Sequence, residues 1–106
     1  SSPIHCAVQG YIQLKNSYIH DCPSGGVRVG DNSRINVTAC VFEDMGSAAL
    51  EARAGGFFYF HGYDNIIRNA VYGIDAGSNS IIQHKDTITY ENVTTPVYLH
   101  NGAVEY

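Results

Sequence analysis

Residues 35–60 read INVTACVFEDMGSAALEARAGGFFYF, and this stretch decides the fold. It opens on Ile35 and Val37 and closes on Phe58 and Phe60, each pair split by one outward-type residue, Asn36 or Tyr59. The second pair restates the first at a 23-residue interval. Strict alternation marks a half-buried strand, so the same strand type returns once per interval. Between the pairs stand Phe42, then Leu50 and Ala52 on either side of Glu51.

Extended in both directions, the period organises nearly the whole chain. Ile12, Ile35, Phe58, Ile81 and Val104 form one column, and Leu14, Val37, Phe60, Gln83 and Tyr106 a second. Ile19, Phe42, Ile67 and Tyr90 form a third, and Val27, Leu50, Ile74 and Val97 a fourth. Cys6, Val29, Ala52, Ala76 and Leu99 complete the set. Four residues separate the second and third columns in the first two repeats, and six in the last two. Later stretches shorten to match, so a constant 23-residue period is expected. Constant period with shifting internal spacing describes one turn around a closed cross-section. Helical repeats need about 33 residues or more, and no segment carries a helical apolar stripe. Asp21, Asp44, Asn69 and Asn92 share a position. Asp and Asn tolerate left-handed backbone, so this column is a stacked corner. Gly25-Gly26, Gly46, Gly73 and Thr95-Pro96 mark a second corner. Gly30-Asp31-Asn32, Gly55-Gly56, Gly77-Ser78-Asn79 and Asn101-Gly102 mark a third. The expected fold is all-β: a solenoid of about four 23-residue turns with three short strands each, near 12–34, 35–57, 58–80 and 81–103.

The sequence resembles the right-handed parallel β-helix family of pectate lyases and phage tailspikes. The stretches that carry the likeness run from Ile19-His20-Asp21-Cys22 to Val27-Arg28-Val29, and from Phe42-Glu43-Asp44-Met45 to Leu50-Glu51-Ala52. Ile67-Arg68-Asn69-Ala70 to Ile74-Asp75-Ala76, and Tyr90-Glu91-Asn92-Val93 to Val97-Tyr98-Leu99, repeat it. The likeness specifies architecture and not activity, since unrelated functions share this solenoid. Trimeric assembly is what the family's phage members imply. The aspartate clusters that hold calcium in pectate lyases are not recognisable, and no cofactor or metal is expected.

Composition excludes several classes. Charged residues are 15% of the 106-residue chain and apolar ones 44%, too apolar and too weakly charged for intrinsic disorder. No apolar run approaches the roughly 20 residues of a membrane-spanning helix, so membrane insertion is not expected. Six basic against ten acidic residues argue against nucleic acid. Cys6, Cys22 and Cys40 form no metal-type spacing, and their odd count suits reduced, buried thiols. With Ser1-Ser2-Pro3 at the start and no apparent caps, residues 1–106 read as one segment excised from a longer solenoid.

Four groups of outward residues are candidates. Arg28, Glu51, Asp75 and Tyr98 lie between inward columns and form one ladder. Two carboxylates one rung apart fit the nucleophile and acid/base of a retaining glycosidase, which makes Glu51 and Asp75 the catalytic candidates. Arg28 would then hold an anionic sugar and Tyr98 stack on a ring; the plain alternative is a solvated face with an Arg28–Glu51 pair. His20, Glu43, Arg68 and Glu91 alternate in charge and read as a register-fixing surface ladder. His61 and His84 share a column with Lys15 and Thr38 but lack a third metal ligand. Tyr59, Tyr63 and Tyr72 suit subunit contact or glycan stacking, with contact preferred and Tyr59 kept as a ligand-binding candidate. Asn36-Val-Thr38 and Asn92-Val-Thr94 match the glycosylation pattern, which carries no weight without a secretion signal.

The leading expectation is a structural and host-glycan-recognition segment of a phage tailspike or tail fibre. It would assemble as a homotrimer, meet bacterial surface polysaccharide, fold in host cytoplasm and reside in the virion. A fragment of a polysaccharide hydrolase or lyase using Glu51 and Asp75 is the alternative. A secreted or cell-surface bacterial adhesin is the third.

Overall fold

The computed structural model describes residues 10–106, together with the backbone of residues 4–6. In chain order the strands are β1 (Ile4–Cys6), β2 (Tyr11–Lys15), β3 (Tyr18–Cys22), β4 (Val27–Val29), β5 (Arg34–Thr38) and β6 (Val41–Met45). There follow β7 (Ala48–Ala52), β8 (Phe57–His61), β9 (Ile66–Ala76), β10 (Ile81–Gln83), β11 (Thr89–Leu99) and β12 (Val104–Glu105). A 3-10 turn, Lys85–Thr87, stands between β10 and β11. All pairings are parallel, and each strand pairs with its counterpart one turn away. The first face is a sheet ordered β12-β10-β8-β5-β2. The second stacks β3, β6 and the first part of β9, and the third stacks β1, β4, β7 and the last part of β9. The chain is therefore a parallel β-solenoid of about four turns, as its period predicts.

Inward side chains build one continuous core. Ile35, Phe42, Leu50, Phe58, Phe60, Ile67, Ile74 and Ile82 are fully buried. Leucine-sized side chains each contribute about 1.5–3 kcal/mol on burial, so this column is the main favourable term. Corners follow the expected chemistry. Asp21, Asp44, Asn69 and Asn92 all adopt left-handed backbone, with φ of 55°, 58°, 52° and 54°. Asn69 Nδ2 donates to Asp44 Oδ1 at 3.0 Å, and Asn92 Nδ2 to Asn69 Oδ1 at 2.8 Å, making an amide ladder. At the third corner, the Asp31-Asn32, Ala54-Gly55, Ser78-Asn79 and Asn101-Gly102 pairs all have positive φ, the signature of a tight type I′ turn. Gly46 marks a close approach: a Cβ there would lie 2.0 Å from the Pro23 carbonyl oxygen.

Two features differ from the sequence expectation. The second and third strands fuse into single long strands in the last two turns, β9 and β11. Where the earlier turns place Pro23-Ser24-Gly25 or Gly46-Ser47, these turns run Ala70-Val71 and Val93-Thr94, and the pairing continues through the bend. The period is also not constant. Ile19 pairs with Phe42 at the expected interval, but Phe42 pairs with Ile67 at an interval two positions longer. Leu50 pairs with Ile74, and Phe57 with Ile81, each at an interval one position longer. The third turn therefore lengthens at His61–Asn65 and is only partly shortened again later. Ile82 stacks inward above Phe58, whereas Ile81 is only partly buried and Gln83 sits outward beside Tyr59. One-residue slips exchange the two faces of a strand, which is the reason for this reassignment.

Buried Asn65 closes the lengthened corner. Its Oδ1 accepts from the Cys40 amide at 3.0 Å, and its Nδ2 donates to the Val37 and His61 carbonyls, both at 3.2 Å. It thereby satisfies backbone groups that the loop would otherwise strand. Of the cysteines, Cys40 is buried and Cys22 half-buried, both as free thiols; the Cys6 side chain lies outside the described residues.

Asn65→Ala is expected to lower unfolding stability by about 2–3 kcal/mol, because buried donors and acceptors lose their partners. Urea denaturation followed by circular dichroism reads this directly, and an unchanged midpoint would contradict it. Tyr90 provides a second check. Burial pushes its phenol well above the ordinary value, and its hydroxyl has no hydrogen-bond partner among the described residues. A raised folded-state pKa contributes stability below about pH 10 that is lost as pH rises further. Tyr90→Phe should be neutral or stabilising at pH 7 by up to about 1 kcal/mol, and should flatten the alkaline decline. Melting temperatures at pH 7, 10 and 11 test both parts.

Candidate functional site

The third face carries the densest group of polar side chains. Its outward ladder has the expected register: Arg28 pairs with Glu51, Glu51 with Asp75, and Asp75 with Tyr98. Arg28 Nε lies 3.3 Å from Glu51 Oε1. The structure adds two residues that the sequence reading missed. Arg53 Nη2 lies 3.3 Å from Glu51 Oε2 and 3.0 Å from Asp75 Oδ2, so one guanidinium bridges both carboxylates. Its Nη1 also donates to the Ala52 and Asp75 carbonyls, at 2.9 and 3.0 Å. From the opposite side, His100 Nε2 lies 2.8 Å from Asp75 Oδ1.

Local sequence explains the convergence. Arg53 and His100 each stand two residues beyond a ladder member, Glu51 or Tyr98, and alternation keeps them on the same face. Gly77 occupies the rung between them, and a Cβ there would lie 2.5 Å from His100 Cε1. Glycine thus leaves room for the imidazole to cross one rung and reach Asp75. The His100 ring stacks on Tyr98 with centroids 4.8 Å apart, and Tyr98 stacks on Tyr72 at 5.6 Å. Alternation continued to the next outward position past Glu51 and Tyr98 was the signal available in the sequence.

Chemically, the cluster is a fixed array of charges and donors. A retaining glycosidase needs one carboxyl free to give and take a proton. Here Glu51 and Asp75 are both ion-paired to Arg53, Asp75 also accepts a hydrogen bond from it, and Asp75 faces His100 as well. Asn101 Nδ2 lies 3.3 Å from His100 Nδ1, so both imidazole nitrogens have neighbours. Arg28 and Tyr98 remain substantially exposed, with the Arg28 side chain at 47% and Tyr98 at 45%.

The other candidates separate. On the second face, Arg68 lies 2.6 Å from Glu91 and 4.0 Å from Glu43, a hydrogen bond to Glu91 holding its guanidinium pKa up. His20 turns instead to Asp21, 2.7 Å away, and stacks on Tyr18, whose hydroxyl donates to Glu43. On the first face, Tyr59 sits between His61 and His84, with ring centroids at 4.3 and 5.0 Å. Arg34 covers Phe57 and Tyr59, 5.0 and 5.1 Å from their ring centres. Asn36 is buried, accepts from Arg34 and donates to Tyr11, so its amide is engaged rather than offered for glycosylation. An open cavity of about 500 Å³ lies against Tyr90, Val97, Leu99, Lys85 and Glu105.

The family model for the right-handed β-helix region matches residues 1–105. The chain belongs to the right-handed β-helix family. No curated protein and no solved structure matches it. A right-handed β-helix supports a structural or carbohydrate-related role, and its outward ladders are where the second would reside.

Arg53→Ala should lower stability by about 2 kcal/mol, since two part-buried carboxylates lose their shared counter-ion and Asp75 a donor. The loss should shrink when Asp75→Asn accompanies it. A double-mutant cycle by chemical denaturation measures that coupling, and additive losses would mean that the bridge contributes nothing.

Proposed function

We propose that this right-handed β-helix is a structural and glycan-recognising segment of a phage tailspike or tail fibre, assembling as a homotrimer. The observation that carries this reading is the Arg28–Glu51–Arg53–Asp75–Tyr98–His100 cluster. Hydroxyl-rich ligands are bound by planar donors and acceptors held rigid, beside aromatic rings that cover apolar sugar faces. Parallel strands hold each of these groups in register, so the array needs little ordering on binding. Exposed Arg28 suits the acidic groups of bacterial surface polysaccharides.

Engagement of both carboxylates with Arg53 favours recognition over hydrolysis or elimination. Assembly draws support from large outward side chains: Tyr11 is 59% exposed and Tyr18 57%, on two different faces. Apolar surface spread in this way is covered by subunit contact in an assembled fibre. Buried, free Cys40 suits folding in a reducing host cytoplasm before incorporation into the virion. A secreted or cell-surface adhesin would use the same face, and differs in compartment alone.

Binding to bacterial surface polysaccharides, followed by calorimetry, should weaken about 10-fold in Arg28→Ala and in Tyr98→Ala. Light scattering of the same samples should give the trimer mass; a stable monomer in dilute solution would remove the assembly claim. Reducing ends released by the wild type but not by Glu51→Gln would replace recognition with catalysis.

A further inference from the structure

A second concavity lies at the corner that follows β8, away from the charged ladder. It has a volume of about 200 Å³ and is lined by Tyr59, Phe60, His61, Gly62, Tyr63, His84 and Thr87. None of these side chains is an acid, a lysine or an arginine. Aromatic rings form its walls, and imidazole and hydroxyl groups supply its polar points.

Neither histidine is explained by the fold. The corner requires left-handed backbone, and Asn16, Ala39 and Gly62 meet that need in the other turns, with φ of 50°, 53° and 71°. His84 takes φ 67° there, at greater steric cost than Gly or Asn, and no hydrogen bond to its ring is present among the described residues. His61 has its Nε2 shielded from solvent with no partner among the described residues, an arrangement that costs about 1–3 kcal/mol. Tyr63 stands on the enlarged part of this corner and is 79% exposed, with its ring at the cavity rim. Insertion, unsatisfied imidazole and exposed tyrosine therefore coincide in one place.

We infer that this concavity is a binding site for one neutral pyranose residue. Its volume matches a single sugar ring, and the absence of lining charge selects against uronic and sialic acids. Tyr63 and Tyr59 cover the apolar face of the ring, and His84 and Thr87 meet its hydroxyls. A turn of the His61 ring toward the cavity gives Nε2 the partner that it lacks. The inference takes from the glycan-recognition reading only its class of ligand, and uses none of the ladder residues.

The test is a proton NMR titration of the intact chain, following the His61 and His84 Cε1–H resonances. Probes are methyl α-glucoside, methyl α-galactoside, methyl α-rhamnoside and N-acetylglucosamine, with glucuronic acid as the charged comparison. At least one neutral probe should shift both resonances saturably, and glucuronic acid should bind about 10-fold more weakly. Tyr63→Ala, at an exposed position, should weaken the neutral probe about 10-fold, and His61→Phe should do the same. Arg28→Ala and Tyr98→Ala should leave it unchanged, so failure at the charged ladder is separable from failure here. No saturable shift with any neutral probe up to about 50 mM would overturn the inference, as would binding that survives Tyr63→Ala. Stronger binding of glucuronic acid than of every neutral probe would overturn it as well.

Discussion

Everything in this molecule follows from parallel, in-register stacking about 4.8 Å apart. Each residue has a neighbour one turn before it and one turn after it, and the pairing of backbone amides and carbonyls fixes which. Inward, that constraint turns Phe42, Ile67 and Tyr90 into a single column. At corners it aligns Asp44, Asn69 and Asn92 so that one amide donates to the next. On the outer faces it brings Glu51 and Asp75 side by side.

Like-charge stacking is the cost of that order. Two carboxylates about 5 Å apart repel by about 3 kcal/mol at an effective dielectric of about 20. The chain meets this in two ways. Corner positions replace the acid by an amide after Asp44, so a donor stands where a second charge would be. Face positions interleave a guanidinium: Arg68 between Glu43 and Glu91, and Arg53 beside Glu51 and Asp75. The next rung at the Arg53 column is Gly77, whose missing side chain admits His100 to the same cluster.

Fold class, corners and three of the five core columns were legible in the sequence, because parallel stacking repeats residue type at a nearly fixed interval. The first-face columns beyond Phe58 and Phe60 were not. Ile81 and Gln83 fit a 23-residue interval, but the enlarged corner at His61–Asn65 shifts the phase by one position, so that Ile82 takes the inward place. Its net length is set by Asn65, whose three backbone hydrogen bonds decide how the loop closes. No periodicity contains that information. At the site, the ladder was legible and its bridging was not. Arg53 and His100 begin the glycine-rich corner: Arg53 spans its own rung and the next, from Glu51 to Asp75, and His100 reaches back to Asp75 past the empty Gly77 position.

Interactions required by stacking separate from those that are free to do something else. Arg53 and Arg68 are consumed by the repulsion that stacking creates, and Asn65 by the loop that it closes. Among the described residues Arg28 has one carboxylate for a partner and an exposed guanidinium, Tyr98 has an exposed edge, and His84 occupies a corner where glycine would serve. None of these three is demanded by the solenoid. Rigid repeats hold such residues at fixed spacing on a surface with no cleft between domains, which suits recognition of an extended, repetitive polymer better than enclosure of a small substrate. The geometry of Glu51 and Asp75 belongs to the same account, being set by the charge balance of the face on which they stand.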